Sequence, residues 1–470
     1  MSQAISAVGC YLPLLRLDRA AAAKALRFSG LGGRASGHRA VAGWDEDPVT
    51  LAVEAARGFA PSDRLVFAST SAPFTEREHA TLVAAGLGFA ETIRTSDVSG
   101  SRRCGVGALL DALLSSGDVI VTAGEKRPTR AGQPANLAWA DGGAAVTVSA
   151  EGPARLIGHA SRSHDMLDVY ASRDVPTPYA AEERFVRDTA GALIADVTRA
   201  ACRAAGVQPA QIRHAAVHEP LPGMWRDIAR RIGTGATNHA EILFAKAGDL
   251  GAAHTLFALS MALAAAAPGD VVLLAGFGSG CDALVLEVTG VVPGAENSVA
   301  ALDSGMVLTD FVRFLSLSGS LNLDFGVRSE FEQKAQAAVS ERHARDAMAF
   351  LGGRDEAGNI QFPKTRIPVR PGAKGAESLE DVRLADTSAK VVSVTADRLN
   401  FTPDPPFWFG LVQFDGGARI LMELTDADAD GFAVGDPLTM RFRIKSQDRR
   451  RGMRTYFWKG APAVRPRMEG

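Results

Sequence analysis

The stretches "GALLDALLSSGDVIVTAGE" (107–125) and "GAAHTLFALSMALAAAAPGDVVLLAGFG" (251–278) follow one plan: small residues open an apolar helix, Gly-Asp closes it, and a Val/Ile/Leu-rich strand ends in Ala-Gly. Each is followed, across a Gly-rich turn, by a second strand, "DGGAAVTVSAEG" (141–152) and "GCDALVLEVTG" (280–290). The correspondence continues upstream, where "TLAVEAARGFAPSDRLVFASTSAP" (50–73) parallels "ADVTRAACRAAGVQPAQIRHAAVHEPLP" (195–222). In both, an Ala-rich helix leads to a short strand that stops at a polar residue and a proline. A repeated order of helices and strands means one unit built twice. Continuous apolar strands alternating with helices predict parallel sheet covered on both faces. Residues 1–295 therefore read as a pseudo-twofold α/β domain, with halves at 1–160 and 161–295. Ligands of such sheets bind beyond the C-terminal ends of the strands, so the strand ends of both copies should line one site.

The pattern then changes. Residues 296–345 read as linker strands and a charged helix, within "EFEQKAQAAVSERHARDAMAF" (330–350). Over 346–470 the chain shows short alternating strands, "KVVSVTADRLNFTP", "FWFGLVQFDGGARILMELTD", "LTMRFRIKSQ" and "RTYFWKG", with "FDGGAR" as a hairpin turn. That composition predicts an all-β barrel of the OB kind. Its basic run "RIKSQDRRRGMRTYFWK" (443–459) reads as a solvated strand-turn-strand whose cations could also meet a nucleotide-bearing ligand such as coenzyme A.

Charge and cysteine usage narrow the function. A net charge of -2, from 51 basic and 53 acidic residues, gives no general attraction to nucleic acid or to an anionic membrane, so a small-molecule partner is expected. Cys10, Cys104, Cys202 and Cys281 form no CxxC pair, which argues against a zinc ribbon or a disulfide framework and fits a reducing cytoplasm. The longest apolar run, "LFALSMALAAAA" (256–267), falls short of the roughly 20 residues of a membrane span.

A few side chains at the strand ends stand out. "SDVSGSRRCGVGALLDAL" (96–113) starts a helix at Cys104, where the helix dipole and neighbouring Arg102 and Arg103 favour a nucleophilic thiolate. The alternative is a small buried residue packing helix to sheet. His218 in "AAVHEPLPG" ends a strand of the second copy and can act as general base or oxyanion donor, or be a satisfied core histidine. Asp249 in "GDLGAAHTL" opens the matching helix, as an N-cap or as a catalytic carboxylate. "GFGSGCD" (276–282) is followed by a strand, so Gly278 and Ser279 fit close backbone approach at a cleft floor better than a dinucleotide fingerprint.

As a set, "AVGCYLPLLRL", "WDEDPVTLAVEAAR" (44–57), "DVSGSRRCGVGAL", "VHEP", "GDLGAA" and "GDVVLLAGFGSG" resemble the thiolase superfamily, specifically its bacterial and archaeal 3-hydroxy-3-methylglutaryl-CoA synthase-like branch. The C-terminal region, with "QFPKTRIPVRPG", "ADRLNFTPDPPFWFGLVQFDGGARILMELTDADAD" and "RRRGMRTYFWK", resembles the OB-fold module that partners such enzymes. The resemblance implies a duplicated αβαβα fold, a homodimer, and Claisen-type chemistry on acyl-CoA. It also implies a catalytic cysteine, a histidine at a His-x-Pro strand end, a glutamate and an asparagine. His218 matches. The register of "GVGAL" puts Arg102 in the cysteine's place and Cys104 two residues on, the glutamate position falls near Thr70, and Asp249 stands where asparagine is usual. The zinc-ribbon region "GGRDEAGNIQFPKTRIPVRPG" has no cysteine, so no metal is expected.

The expected function is an acyl-CoA-dependent acyltransferase that makes or breaks a C–C bond with altered nucleophile machinery. A retro-aldol-type lyase on an acyl-CoA and a non-catalytic acyl-CoA-binding accessory subunit are the alternatives. His218, Cys104, Asp249 and Thr70 are the catalytic candidates, and Arg102, Arg103, Gly278 and Ser279 the candidates for holding substrate or coenzyme A.

Overall fold

A computed structural model describes residues 3–468 except 32, 34, 173, 174, 176, 177, 181, 327–336, 343, 366, 367, 373–378 and 449. The first half supplies strands β1 (Ala4–Tyr11), β2 (Arg64–Ala68), β3 (Arg94–Val98), β4 (Val119–Glu125) and β5 (Gly142–Ser149). The second supplies β6 (Ala154–Ser163), β7 (Ile212–Val217), β8 (Thr237–Asn238), β9 (Val271–Phe277) and β10 (Gly280–Val288). Among the described residues these ten strands form one sheet in the order β8-β7-β9-β10-β6-β1-β5-β4-β2-β3, which reads the same outward from the β6–β1 seam in both directions. The seam is narrow: Ala4 faces Arg155 and Ile5 faces Ala154.

The sheet is mixed, whereas the apolar runs alone predict parallel pairing. β2 pairs parallel with β3 and β4, and β7 with β8 and β9, but β5 and β10 return antiparallel. β10 follows β9 through the Gly-Ser turn, too short for the crossover that a parallel partner needs.

Helices α1 (Pro48–Ala55), α2 (Cys104–Leu114), α3 (Glu183–Ala205), α4 (Trp225–Ile232), α5 (His239–Ala247) and α6 (His254–Ala265) are positioned by this sheet. α2 and α6 touch strands of both halves, so they form the middle layer, while α1 and α3 cover opposite outer faces. α6 is buried from His254 through Leu263, as befits a helix that is apolar all round. Within the middle layer α2 meets the turn before α6 where a Cβ on Gly105 would lie 2.3 Å from the Ala252 carbonyl, a contact that only glycine permits.

The C-terminal region forms a five-stranded antiparallel sheet from Ala389–Asp397, Phe407–Phe414, Arg419–Glu423, Pro437–Asp448 and Met453–Pro462. A bridge between Leu424 and Gly460 brings its edge strands together into a barrel. The connecting segment returns to the first half, where Met306–Leu308 pairs parallel with Leu15–Asp18. Of the charged stretch at 330–350, the described part holds two short helices, Ala337–Arg342 and Ala344–Ala349.

The barrel is seated on α1. Phe442, Tyr456 and Trp458 join Val49, Leu51 and Val53 in one apolar cluster. Around it, Lys459 Nζ lies 2.8 Å from Asp45 and 2.9 Å from Glu423, and Arg443 Nη2 lies 3.1 Å from Glu46 and 2.9 Å from Asp426. Arg454 and the Tyr456 hydroxyl both donate to Asp47, and Arg441 pairs with Glu54. The solvated reading of the basic run holds at the turn, where Arg450 and Arg451 are exposed, and fails in the strands: Arg443 and Lys459 are buried against the "WDED" acids of the first half and are not free to meet a nucleotide.

Candidate active site

His218 is the first residue beyond β7. Its N–H donates to the Ala275 carbonyl at 3.0 Å, and the Asn238 side chain accepts from Val217 N–H and donates to Val217 C=O, both at 3.0 Å. These bonds fix the strand end before the chain turns away at Pro220. Asp249 lies between α5 and α6, its main chain bonded to Ala138 and Ala140 and its Oδ1 accepting from Gly251 N–H at 2.9 Å. The bond is a local turn contact, and the expected helix N-cap is not formed: the residue before α6 is Ala253, with no side-chain cap.

The two residues meet at the floor of a pocket. His218 Nε2 is 3.3 Å from Asp249 Oδ1, an ion-pair distance rather than an aligned hydrogen bond. Asp249 Oδ2 is 3.2 Å from Arg127 and 3.5 Å from Arg102, and Arg102 continues to Asp168 at 3.0 Å. All five side chains are buried. Burial would raise the Asp249 pKa, but Arg127, His218 and Arg102 outweigh it and hold the carboxyl well below its usual value. Burial pushes the His218 pKa down, against the pull of Asp249, which favours the neutral imidazole. His254, its ring tilted 46° to that of His218 with the centroids 5.2 Å apart, is pushed by burial to about 3 and accepts from Leu250 N–H.

The pocket holds about 300 Å³, within the range of small-molecule sites. Pro134, Ala138, Trp139, Val169, Leu221 and Phe244 supply apolar walls, while Arg102, His218, Asp249 and His254 supply the polar floor. Glu183, Glu219 and Glu241 also line it. Burial lifts the Glu219 carboxyl to about 7.

The other candidates lie outside this pocket. Cys104 is buried on the far side of α2's first turn, against the Ser69 main chain and Glu125. Burial first, and then the Glu125 carboxylate, push its thiol above its usual value, the reverse of an activated thiolate. Arg102 lies in the turn before α2 and reaches the pocket, whereas Cys104, the first residue of α2, packs toward Ser69 and Glu125. Thr70 donates its N–H at 2.7 Å and its hydroxyl at 2.9 Å to Glu125. Arg103 pairs with Asp282 at 3.1 Å and donates to the Ser279 carbonyl, so Arg103, Gly278 and Ser279 form a bracket beside α2 instead of a pocket wall.

Several residues of the site escaped the sequence. Glu125 and Arg127 lie at the end of β4, and the strand-end rule applied to copy one would have found them in "GEKRP". Glu125 is fully buried, and burial raises its pKa despite Arg127 and the Ser71 and Thr70 donors. A carboxylate is thus present beside the position expected at Thr70, contributed by the neighbouring strand. Asp168 sits in a loop outside the repeat and carried no signal.

Two family matches cover parts of the chain: residues 202–288 match the 3-oxoacyl-[acyl-carrier-protein (ACP)] synthase III C-terminal domain, and residues 381–443 the ChsH2 C-terminal OB-fold domain. The fold and these matches define a thiolase-like α/β protein joined to an OB-fold domain. Its relatives include the hydroxymethylglutaryl-CoA synthase of Aeropyrum pernix, 24% identical over 71% of this chain and 95% of that protein. They also include a DUF35 domain-containing scaffold protein of Pyrococcus furiosus, 28% identical over 26% of this chain and 90% of that protein. Among solved structures, a hydroxymethylglutaryl-CoA synthase complexed with CoA is similar at TM-score 0.58 and 16% identity, covering 72% of this chain and 95% of its own. The 3-oxoacyl-(acyl carrier protein) synthase III of Pseudomonas aeruginosa is similar at TM-score 0.52 and 21% identity, covering 62% and 100%. Among the described residues, no helix is long and apolar enough to cross a membrane.

Proposed function

We propose that the pocket binds an acyl-CoA thioester and makes or breaks a C–C bond beside its carbonyl without a covalent acyl-enzyme. The observation that carries this is the His218–Asp249 contact at the floor of an apolar-walled pocket that Arg102 also lines; the family resemblance would give Arg102's place to the nucleophile. Neutral His218 is suited to take a proton from the carbon next to a thioester. Arg102 and Arg127 offset the negative charge that then develops on the thioester oxygen. Buried and protonated, Cys104 takes no part in the step. The names of the relatives, hydroxymethylglutaryl-CoA synthase among them, support acyl-CoA as the substrate class.

The test is incubation with acetyl-CoA and related acyl-CoAs, followed by intact mass measurement and product analysis. Turnover with no acyl adduct on the protein is the expected result. An adduct mapped to Cys104 would overturn the non-covalent route. An accessory, non-catalytic acyl-CoA-binding subunit is the second reading, favoured by the tethering of Arg102 to both Asp168 and Asp249; it predicts binding without turnover. The homodimer belongs to the proposal and is checked by sedimentation.

A further inference from the structure

We propose that Glu219 is a second proton-transfer residue of the pocket, working on the substrate together with His218. The inference deepens the acyl-CoA function above and rests on it. Glu219 directly follows His218 at the end of β7 and lines the same pocket. The chain then reverses through Pro220, Leu221, Pro222 and Gly223, the last at φ 78°, so that Trp225 N–H donates to Glu219 Oε2 at 2.8 Å. This bond anchors the carboxyl at the start of α4.

A purely structural role accounts poorly for the residue. Glu219 is half-buried, and among the described residues no salt bridge joins it to a Lys, Arg or His; main-chain N–H groups of Trp225, Met224 and Gly223 favour its charged form instead. A neutral glutamine would accept the Trp225 bond equally well. The charged and titratable groups sharing the pocket are Glu241 of α5, Glu183 of α3, and His218, Asp249, Arg102 and His254 of the floor. Glu241 opposes ionisation of Glu219, after burial and despite the main-chain donors. A carboxyl that changes state near neutrality beside a neutral imidazole is the pairing that acid–base chemistry needs.

In the bond-making direction, His218 takes the α-proton of the donor thioester. The resulting enolate carbon forms the new C–C bond to the carbonyl carbon of the acceptor, whose C=O π pair moves onto oxygen. Protonated Glu219 gives that oxygen its proton, and the proton on His218 passes back to the Glu219 carboxylate through solvent. In the cleavage direction the same transfers run in reverse, with the Glu219 carboxylate taking the hydroxyl proton.

The experiment compares wild type, Glu219→Gln and Glu219→Asp with a turned-over acyl-CoA across pH 5–9, a range about the usual span of acid–base profiles. Wild type should show a limb near pH 7, falling with pH for bond making and rising with pH for cleavage. Glu219→Gln should lose about 10²-fold in kcat with little change in KM and no limb, while Glu219→Asp restores part of the rate. Unchanged melting of Glu219→Gln shows that the fold survives. If Glu219→Gln keeps both rate and limb while His218→Ala is dead, Glu219 has no such role and the acyl-CoA function stands. If wild type turns over no thioester, that function fails and the role of Glu219 fails with it.

Discussion

The two copies of the α/β unit present opposite chemistry at equivalent strand ends. Beyond β7 and before α6 the second copy sets His218, Glu219, Asp249 and His254 around the pocket, three of them able to exchange or organise a proton there. Around the ends of β2 and β4 the first copy ties exposed Thr70 and half-buried Ser71 to the buried Glu125 carboxyl, with buried Cys104 beneath. Its arginines reach across: Arg102 lines the pocket floor, and both Arg102 and buried Arg127 end on Asp249. Duplication gives a fold two sets of strand ends; here the second copy's set lines the pocket while the first copy's set closes on Glu125.

The sharpest way to break this contrast is to remove one group from each copy. His218→Ala should lower kcat by about 10² to 10⁴-fold in a steady-state assay, whereas Cys104→Ala should stay within about threefold of wild type. Equal losses would abolish the distinction between the copies.

A second comparison sets the two buried carboxylates against each other. Asp249→Asn leaves Arg102 and Arg127 without their shared counter-charge and should cost about 3–5 kcal/mol of stability near neutral pH. Because the folded pKa of Asp249 lies below its unfolded value, its stabilising contribution is present above about pH 3.9 and is lost as pH falls toward the folded pKa. Melting of wild type and variant from pH 3 to 8 should therefore converge at the acid end, a range of roughly the carboxylate titration.

Glu125 should show the opposite sign with a smaller amplitude. Its folded pKa is raised, so its protonated form favours folding below about pH 4.3, and that benefit is lost as pH rises through the folded value. Glu125→Gln should gain on wild type with rising pH, by on the order of 1 kcal/mol in denaturant titrations. A gain on acidification would show that Glu125 is held ionised.

The duplication, the barrel and His218 were legible because each rests on local pattern: hydrophobic period, turn chemistry, and a polar residue at a strand's end. What stayed hidden depends on tertiary approach. The basic run at 443–459 reads as solvated until the acids at 45–47, about 400 positions away, close over it. Cys104 and Arg102 differ by two places in sequence, yet Cys104 opens α2 and packs toward Glu125 while Arg102, in the turn before it, reaches Asp249. Asp168 comes from a loop with no periodic signal at all.

The seat of the barrel bears on how far the pocket floor can yield. Asp47 caps α1 through Oδ1 while its Oδ2 is held by Arg454 and Tyr456 of the barrel. On its other side α1 lies so close to β4 that a Cβ on Gly124 would fall 2.0 Å from the Pro48 carbonyl, one residue before Glu125. Barrel, helix and strand end are stacked without slack, so the C-terminal domain works as a buttress: loosening it by a single side chain at Asp47 should be felt at Glu125 before it is felt anywhere on the solvent-facing rim.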